Sequence, residues 1–363
     1  MASIDITASR SPEVRTPSVQ IQIRALTAGD ETAWDSFVES HPHGTPFHLI
    51  GWKKTIDEAF GYESKYLVAT DGKSIQGVLP LFLISNLLTG KVLMSTPFAV
   101  YGGVLAHSHA VREEFRKAVS QLGTSLGVDY VELRNVQPEQ RLGFSPVTRY
   151  VTFEQTIGPD EEAILESIPR KVRYMVRKSL KVGFETRRSE SATDAFLDLY
   201  SQSLRRLGTP CFPYRHFHAL MRNLKGRADV REVVHEGKVA SAVMTFYLRD
   251  QVFPFYGASD PAVNALAPNN FMYFDLMRWS GANGYKTFDF GRSKRGGSGS
   301  YDFKGHWGMT ERELPYEILL VKRKELPNIN PNNKAFRWPL EFWRRLPLPV
   351  TRWIGPMFLR LVP

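Results

Sequence analysis

One order of elements occurs twice along this chain, and that duplication limits the fold more than any single motif. In the first copy, Tyr66-Leu-Val-Ala-Thr-Asp-Gly-Lys73 leads into the apolar run Gly77 to Ile84, which predicts a hairpin around Asp71-Gly72. In the second, Val230-Arg-Glu-Val-Val-His-Glu-Gly-Lys238 leads into Ala240 to Leu248. Each hairpin is expected to be followed by a strand ending in Tyr-Gly (Tyr101-Gly102 and Tyr256-Gly257). A helix comes next (Val111 to Leu126 and Asn270 to Asn283), then a closing strand (Tyr130 to Arg134 and Thr287 to Gly291). A helix set between strands, twice over, requires mixed sheets in two α/β (α+β) domains packed side by side. Neither an all-helical nor an all-β fold fits that order.

The boundary is expected near Phe153 to Pro159, where strand-like Tyr150-Val-Thr-Phe153 gives way to Gly158-Pro159-Asp160 and a helix start. The units are then a flexible tail over 1–20, an N-terminal domain over 21–155, a C-terminal domain over 156–325 and a basic, aromatic tail over 326–363. With 363 residues and 42% apolar content the chain has enough material for two cores. Its formal charge of +10 favours anionic partners such as phosphates, nucleic acid or an acidic membrane face, without choosing among them. One cysteine, Cys211, excludes an internal disulfide and fits a reducing compartment. Met1 to Gln20 lacks the apolar core of a secretory signal, and no run is long enough to cross a bilayer. The expected location is cytoplasmic, with contact to the inner membrane face if a surface holds the protein there.

The segment Asn269-Asn-Phe-Met-Tyr-Phe-Asp-Leu-Met-Arg-Trp-Ser-Gly-Ala-Asn-Gly-Tyr-Lys-Thr-Phe-Asp-Phe-Gly-Arg-Ser293, followed by Tyr301-Asp-Phe-Lys-Gly-His-Trp-Gly308, resembles the C-terminal half of the FemAB-like peptidyl and acyl transferases. Ser40-His-Pro-His-Gly44 with Gly51-Trp-Lys-Lys54 is similar to the family's entry segment. The resemblance covers roughly residues 21 to 325 and implies tandem duplicated GNAT-like domains, in agreement with the duplication. With its basic helix and Pro-Trp-Arg tail, the chain is similar to the bacterial subgroup associated with exosortase (PEP-CTERM) sorting and exopolysaccharide gene clusters.

In the family, a Phe-Lys pair takes part in aminoacyl transfer from charged tRNA to an amine of a peptidoglycan precursor, and it matches Phe303-Lys304. The chemistry gives a reason for the lysine: attack on an acyl ester builds negative charge on the carbonyl oxygen, and a fixed ammonium in a dry cleft stabilises it. Strand alternation alone reads Lys304 as a solvated edge residue with Phe303 in the core. The resemblance also carries a lysine that contacts substrate diphosphate onto Lys53 or Lys54. Asp289 and Arg292 end a strand beside this block, where they orient an amine or phosphate or pair with each other. Asp289 is assigned to catalysis with Lys304 and Phe303; Tyr256, Arg292 and Tyr301 are assigned to substrate.

On a helix predicted over Ile168 to Leu180, Arg170, Arg173, Arg177 and Lys181 share one face and Ile168, Val172, Met175 and Val176 the other. That cationic ridge suits a nucleotide diphosphate, a lipid diphosphate or a tRNA backbone, and equally suits plain solvation. GNAT enzymes that use acetyl-CoA seat its pyrophosphate on a glycine-rich turn before the central helix, yet Ala258 to Pro268 contains no glycine. Lys294-Arg-Gly-Gly-Ser-Gly299 follows the later strand instead, where it is suited to closing over substrate. Three His-x-His pairs (41/43, 107/109 and 216/218) lack the further ligands of a recognised metal spacing, so no metal and no bound cofactor is expected. The acyl donor, aminoacyl-tRNA or acyl-CoA, is a co-substrate.

The leading expectation is therefore an acyl or aminoacyl transferase acting on a diphosphate-linked saccharide or lipid precursor, with charged tRNA a candidate partner. The alternatives are a CoA-dependent N-acyltransferase and a non-catalytic module that binds envelope polymer or nucleic acid. The tail, rich in Trp, Phe, Leu and Arg, either lies on an anionic membrane or wraps its own protein.

Overall fold

Both predicted hairpins form, and their turns show why. In the computed structural model, which describes residues 20–86, 89–296, 299–325 and 341–361, Leu67–Thr70 pairs antiparallel with Ile75–Leu79. Asp71 Oδ1 accepts the N–H groups of Lys73 and Ser74, both at 2.8 Å, and Gly72 takes a left-handed conformation at φ +86°. Ala228–His235 pairs with Lys238–Leu248 around Glu236 and Gly237, both at positive φ, a turn whose twist matches the strands it joins.

The helices among the described residues include α1 (Glu31–Ser40), α2 (Ile50–Phe60), α3 (His109–Leu126), α4 (Glu161–Ser167), α5 (Arg170–Ser179), α6 (Asp194–Leu207), α7 (Tyr214–Asn223), α8 (Pro268–Ala282), α9 (Gly299–Gly305) and α10 (Leu348–Leu359). Within them, α3 and α8 occupy equivalent places. The first connects Gly90–Met94 to the parallel strand Tyr130–Arg134, and the second connects Gln251–Ser259 to the parallel strand Thr287–Asp289. The duplication read from the sequence is thus one of topology.

Four-stranded and six-stranded sheets occupy the first half and an eight-stranded sheet the second, but the halves exchange strands. Tyr150–Thr156, before the expected boundary, pairs with Thr287–Asp289, Ser293–Lys294 and Thr310–Glu313 of the second half. Tyr316–Leu320, after it, inserts between Tyr130–Arg134 and Ser145–Val147 of the first. A shared core accompanies the exchange: Phe47 lies between Trp52 of its own half and Phe246, Phe253 and Phe255 of the other, with ring centroids 4.8 to 6.2 Å away. Large rings of this kind dominate the burial energy of a core.

Three expectations need correction. The run Gly77 to Ile84 is not one strand: Pro80, with no N–H to donate, separates Ile75–Leu79 in one sheet from Phe82–Asn86 in another. Tyr101-Gly102 does not end a strand, because Gly102 adopts φ +127° and a Cβ there would lie 2.1 Å from Thr96 Oγ1. The helix expected from Ile168 begins only at Arg170, since α4 stops at Ser167 and Pro169 precedes α5. The expected tail over 1–20 falls, apart from Gln20, outside the described residues, as do 326–340 of the C-terminal tail.

Candidate active site

Where Gln251–Ser259 and Thr287–Asp289 part company, the second strand turns to Tyr150–Thr156, and beside this split the buried Asp289 meets the part-buried Glu154 and Arg312. Glu154 and Asp289 are register partners across that pair. Asp289 is 3% exposed. Its Oδ2 accepts the Tyr101 hydroxyl at 2.7 Å, and its Oδ1 accepts Thr152 Oγ1 and, at 2.7 Å, the N–H of Gly291. Burial and the neighbouring Glu154 raise its pKa, while these three donors pull the other way. Arg312 binds Glu154 through Nε and a terminal nitrogen, donates to the Val136 carbonyl at 2.8 Å and to the Tyr101 hydroxyl at 3.0 Å. Burial opposes its charge, but Tyr101 and Glu154 together hold the guanidinium above its ordinary pKa.

Lys304 lies beside this network. Its Nζ donates to the carbonyls of Gly291 at 2.8 Å and Arg292 at 3.2 Å. Gly291, at φ +70°, thus gives its N–H to Asp289 and its C=O to Lys304. Burial lowers the lysine to about 8, with Asp289 opposing. Both Phe303 and Lys304 are half-buried in the short helix α9 rather than alternating on a strand, which corrects the edge-strand reading. Phe303 packs against Tyr273, Trp307 and Phe290, its ring centroid 5.7 to 6.4 Å from theirs. Tyr301 donates to Glu311 at 2.7 Å and meets Phe153 edge to face. Arg292 does not pair with Asp289; its guanidinium lies 4.9 Å from the centre of the Tyr150 ring.

Other expected site residues stand elsewhere. Lys53 bonds Asp57 at 2.7 Å and Lys54 bonds Glu31 at 2.6 Å, both on or beside α2. Tyr256 is buried in the shared aromatic core with its hydroxyl 3.0 Å from His216 Nε2. On α5, Val172, Val176 and Ser179 face inward, Arg170 and Arg177 are exposed and Arg173 is half-buried. Arg177 reaches Glu162 at 3.5 Å, and Lys178 caps the Ala265 carbonyl at 2.8 Å. That last contact steadies the segment before α8, where Pro261–Leu266 forms a 3-10 turn and Ala267 takes the left-handed conformation. A nucleotide pyrophosphate would meet side chains there, not a glycine-lined cradle. In the Lys294–Gly299 loop, Gly297 and Ser298 lie outside the described residues.

Tyr101, Thr152, Glu154 and Arg312 escaped the sequence reading. Glu154 and Arg312 are 158 positions apart and Tyr101 comes from the other half, so no local spacing announces them.

Comparison with known proteins bears on the fold that carries these residues. The family model described as an acetyltransferase (GNAT) domain matches residues 167–305. Among solved structures, FemX superposes with a TM-score of 0.67 at 16% identity, covering 83% of this chain and 98% of its own. L-PGS from Bacillus licheniformis gives 0.54 at 13% identity, over 89% and 96%. A tandem GNAT protein from the clavulanic acid biosynthesis pathway gives 0.54 at 10% identity, over 84% and 100%. No curated protein matches in sequence. The chain has the tandem GNAT-like fold, its residues 167–305 match the acetyltransferase (GNAT) domain, and that match within this fold supports an acyltransferase.

Proposed function

We propose that the protein moves an acyl or aminoacyl group from an activated ester to an amine or hydroxyl of a diphosphate-linked saccharide or lipid precursor, at the inner face of an anionic membrane. The setting we propose is cell-envelope or exopolysaccharide assembly, following the exosortase-associated resemblance of the sequence. The observation that carries the reading is the Lys304 ammonium, fixed by two carbonyls at the split of the sheet and lowered toward neutrality by burial.

In the reaction, the acceptor nitrogen or oxygen attacks the ester carbonyl carbon and the π electrons move to the carbonyl oxygen. Two of the three ammonium hydrogens are taken by Gly291 and Arg292; the third meets the developing oxyanion. Collapse expels the donor's alcohol, which takes up a proton as the acceptor loses one. Asp289 has its oxygens occupied by three donors, so its role is to position: it holds the Gly291 turn on which Lys304 rests. Arg170, Arg173 and Arg177 are proposed to lie along substrate or tRNA phosphate, with Lys53 and Lys54 released from their carboxylates to bind diphosphate.

Charged tRNA is the favoured donor because the turn before α8 lacks a pyrophosphate cradle; the matching GNAT domain keeps acyl-CoA as the second reading. Single-turnover assays with labelled aminoacyl-tRNA and, in parallel, an acyl-CoA thioester decide between them. Transfer from the thioester alone overturns the tRNA reading. No transfer from either, with Lys304→Ala leaving polymer binding intact, favours a binding module.

A further inference from the structure

Six of the eight large apolar side chains exposed among the described residues gather on one surface: Leu207, Phe342, Val350, Trp353, Met357 and Phe358. Helix α10 explains the gathering. Thr351, Gly355 and Leu359, spaced by four, are buried. A Cβ on Gly355 would lie 2.7 Å from the Cys211 backbone nitrogen, so the helix is seated close against that loop. Trp353 and Met357 project from the opposite face, 78% and 66% exposed. The helix is not a loose tail. Arg352 pairs with Asp198 at 2.6 Å, and Tyr62 and Asn86 of the first half donate to the Arg360 carbonyl at 3.4 and 3.2 Å. Burying one face so firmly while leaving rings and a thioether in water has a cost that a watery surface does not repay.

Cations surround these side chains. Arg344, Arg345 and Arg360 are exposed, and Arg344 donates to the Leu207 carbonyl at 3.4 Å, which joins the end of α6 to the surface. Asp198 on this side is paired with Arg352, and Glu341 is exposed beside Phe342. Beside Trp353, a shallow depression of about 410 Å³ is lined by Phe212, Tyr214, Pro349, Arg352 and Trp353, a guanidinium among apolar walls. Two copies meeting through this surface would oppose their own arginines, in a protein already at +10. Rings and a thioether ringed by arginines match a bilayer interface, where tryptophan sits at headgroup depth and guanidinium meets lipid phosphate.

We infer that the outer face of α10, with Phe342 and Leu207, docks the protein onto an anionic lipid surface, the depression beside Trp353 taking a phospholipid headgroup. No helix among the described residues is long and apolar enough to cross a membrane, so the contact is peripheral. The inference deepens the proposed function by naming the surface that meets the acceptor's membrane and rests on that reading only for its purpose. Vesicle binding is read without any acyl transfer, so the two fail separately.

The test is flotation of the full-length protein with vesicles of phosphatidylcholine alone and mixed with phosphatidylglycerol. The protein is expected to float with the mixed vesicles, and Trp353→Glu/Met357→Glu to weaken that binding by at least about tenfold, since two side chains lose their apolar burial. Arg344→Glu/Arg345→Glu should remove the preference for phosphatidylglycerol, while Arg170→Glu/Arg173→Glu should float normally. Thermal unfolding equal to wild type shows that each variant is folded. Failure of the wild type to float overturns the inference, as does loss of flotation only in the α5 variant. Sedimentation showing a wild-type dimer that the Trp353/Met357 variant cannot form, with no vesicle binding, assigns the surface to a second copy and overturns it equally.

Discussion

The Tyr101 hydroxyl, from the first half of the chain, donates a 2.7 Å hydrogen bond to Asp289 Oδ2 in the second. Both residues are buried, and Arg312 donates to the same hydroxyl while holding Glu154. The junction between halves is therefore also the support of the Lys304 turn, and stability and catalysis should respond together there.

Tyr101→Phe removes the donor and leaves Asp289 Oδ2 buried without it. A loss of about 1–3 kcal/mol is expected from an unsatisfied buried acceptor, measured by urea unfolding. An unchanged midpoint would mean that water takes the hydroxyl's place.

Lys304→Ala should lower kcat by roughly 10²–10³ with KM little changed, because the ammonium acts on charge that exists only in the transition state. Steady-state kinetics with the identified donor checks this; a variant that raises KM alone would make Lys304 a ground-state binding residue.

The pH dependence has opposite signs for rate and stability. Lys304 titrates near 8 in the folded protein and near 10.5 unfolded, so turnover should fall as pH rises through about 8. Between those values the unfolded chain holds the extra proton, so this group's contribution to stability grows with pH in the same window. Rate and unfolding free energy, measured from neutral pH to 10, should diverge, and Lys304→Met should flatten the lysine's contribution to both.

Glu154→Gln leaves Arg312 facing a neutral amide. Removing one partner of a fully buried pair costs about 3–5 kcal/mol. With Arg312 and Glu154 side chains 22% and 27% exposed, solvent screening should reduce this to about 2–3 kcal/mol. Double-mutant cycles with Arg312→Met would isolate the coupling.

On α5, Arg170→Ala/Arg173→Ala should weaken RNA or diphosphate binding uniformly across sequences. The slope of log K against log salt should shrink by about 0.7–0.9 for each phosphate that the variant no longer neutralises. Titrations at several ionic strengths read this directly, and an unaltered slope would return the ridge to ordinary solvation.

Residues that act through neighbours in sequence were legible in advance. The Asp71-Gly72 and Glu236-Gly237 turns, the paired helices α3 and α8 and the strand Tyr130–Arg134 follow from local turn chemistry and periodicity, as does the buried stripe Val172, Val176 of α5. Local reasoning erred where a backbone constraint crossed the pattern, as at Pro80, Gly102 and Pro169. It also misplaced Tyr256, whose hydroxyl faces His216 within the core, and read Lys304 by strand alternation when a short helix carries it.

The sequence by itself determined the class of fold, because turn residues and hydrophobic periods repeated in the same order admit few arrangements. It also marked Lys304 and Asp289, through a motif whose residues lie close along the chain. Only the tertiary structure decided what holds them. Strands Tyr150–Thr156 and Tyr316–Leu320 pair across the halves, which brings Glu154 opposite Asp289, Arg312 against Glu154 and Tyr101 onto Asp289. Those contacts are made by burial of charge at long sequence separation, where each group is satisfied only by partners that no local pattern specifies.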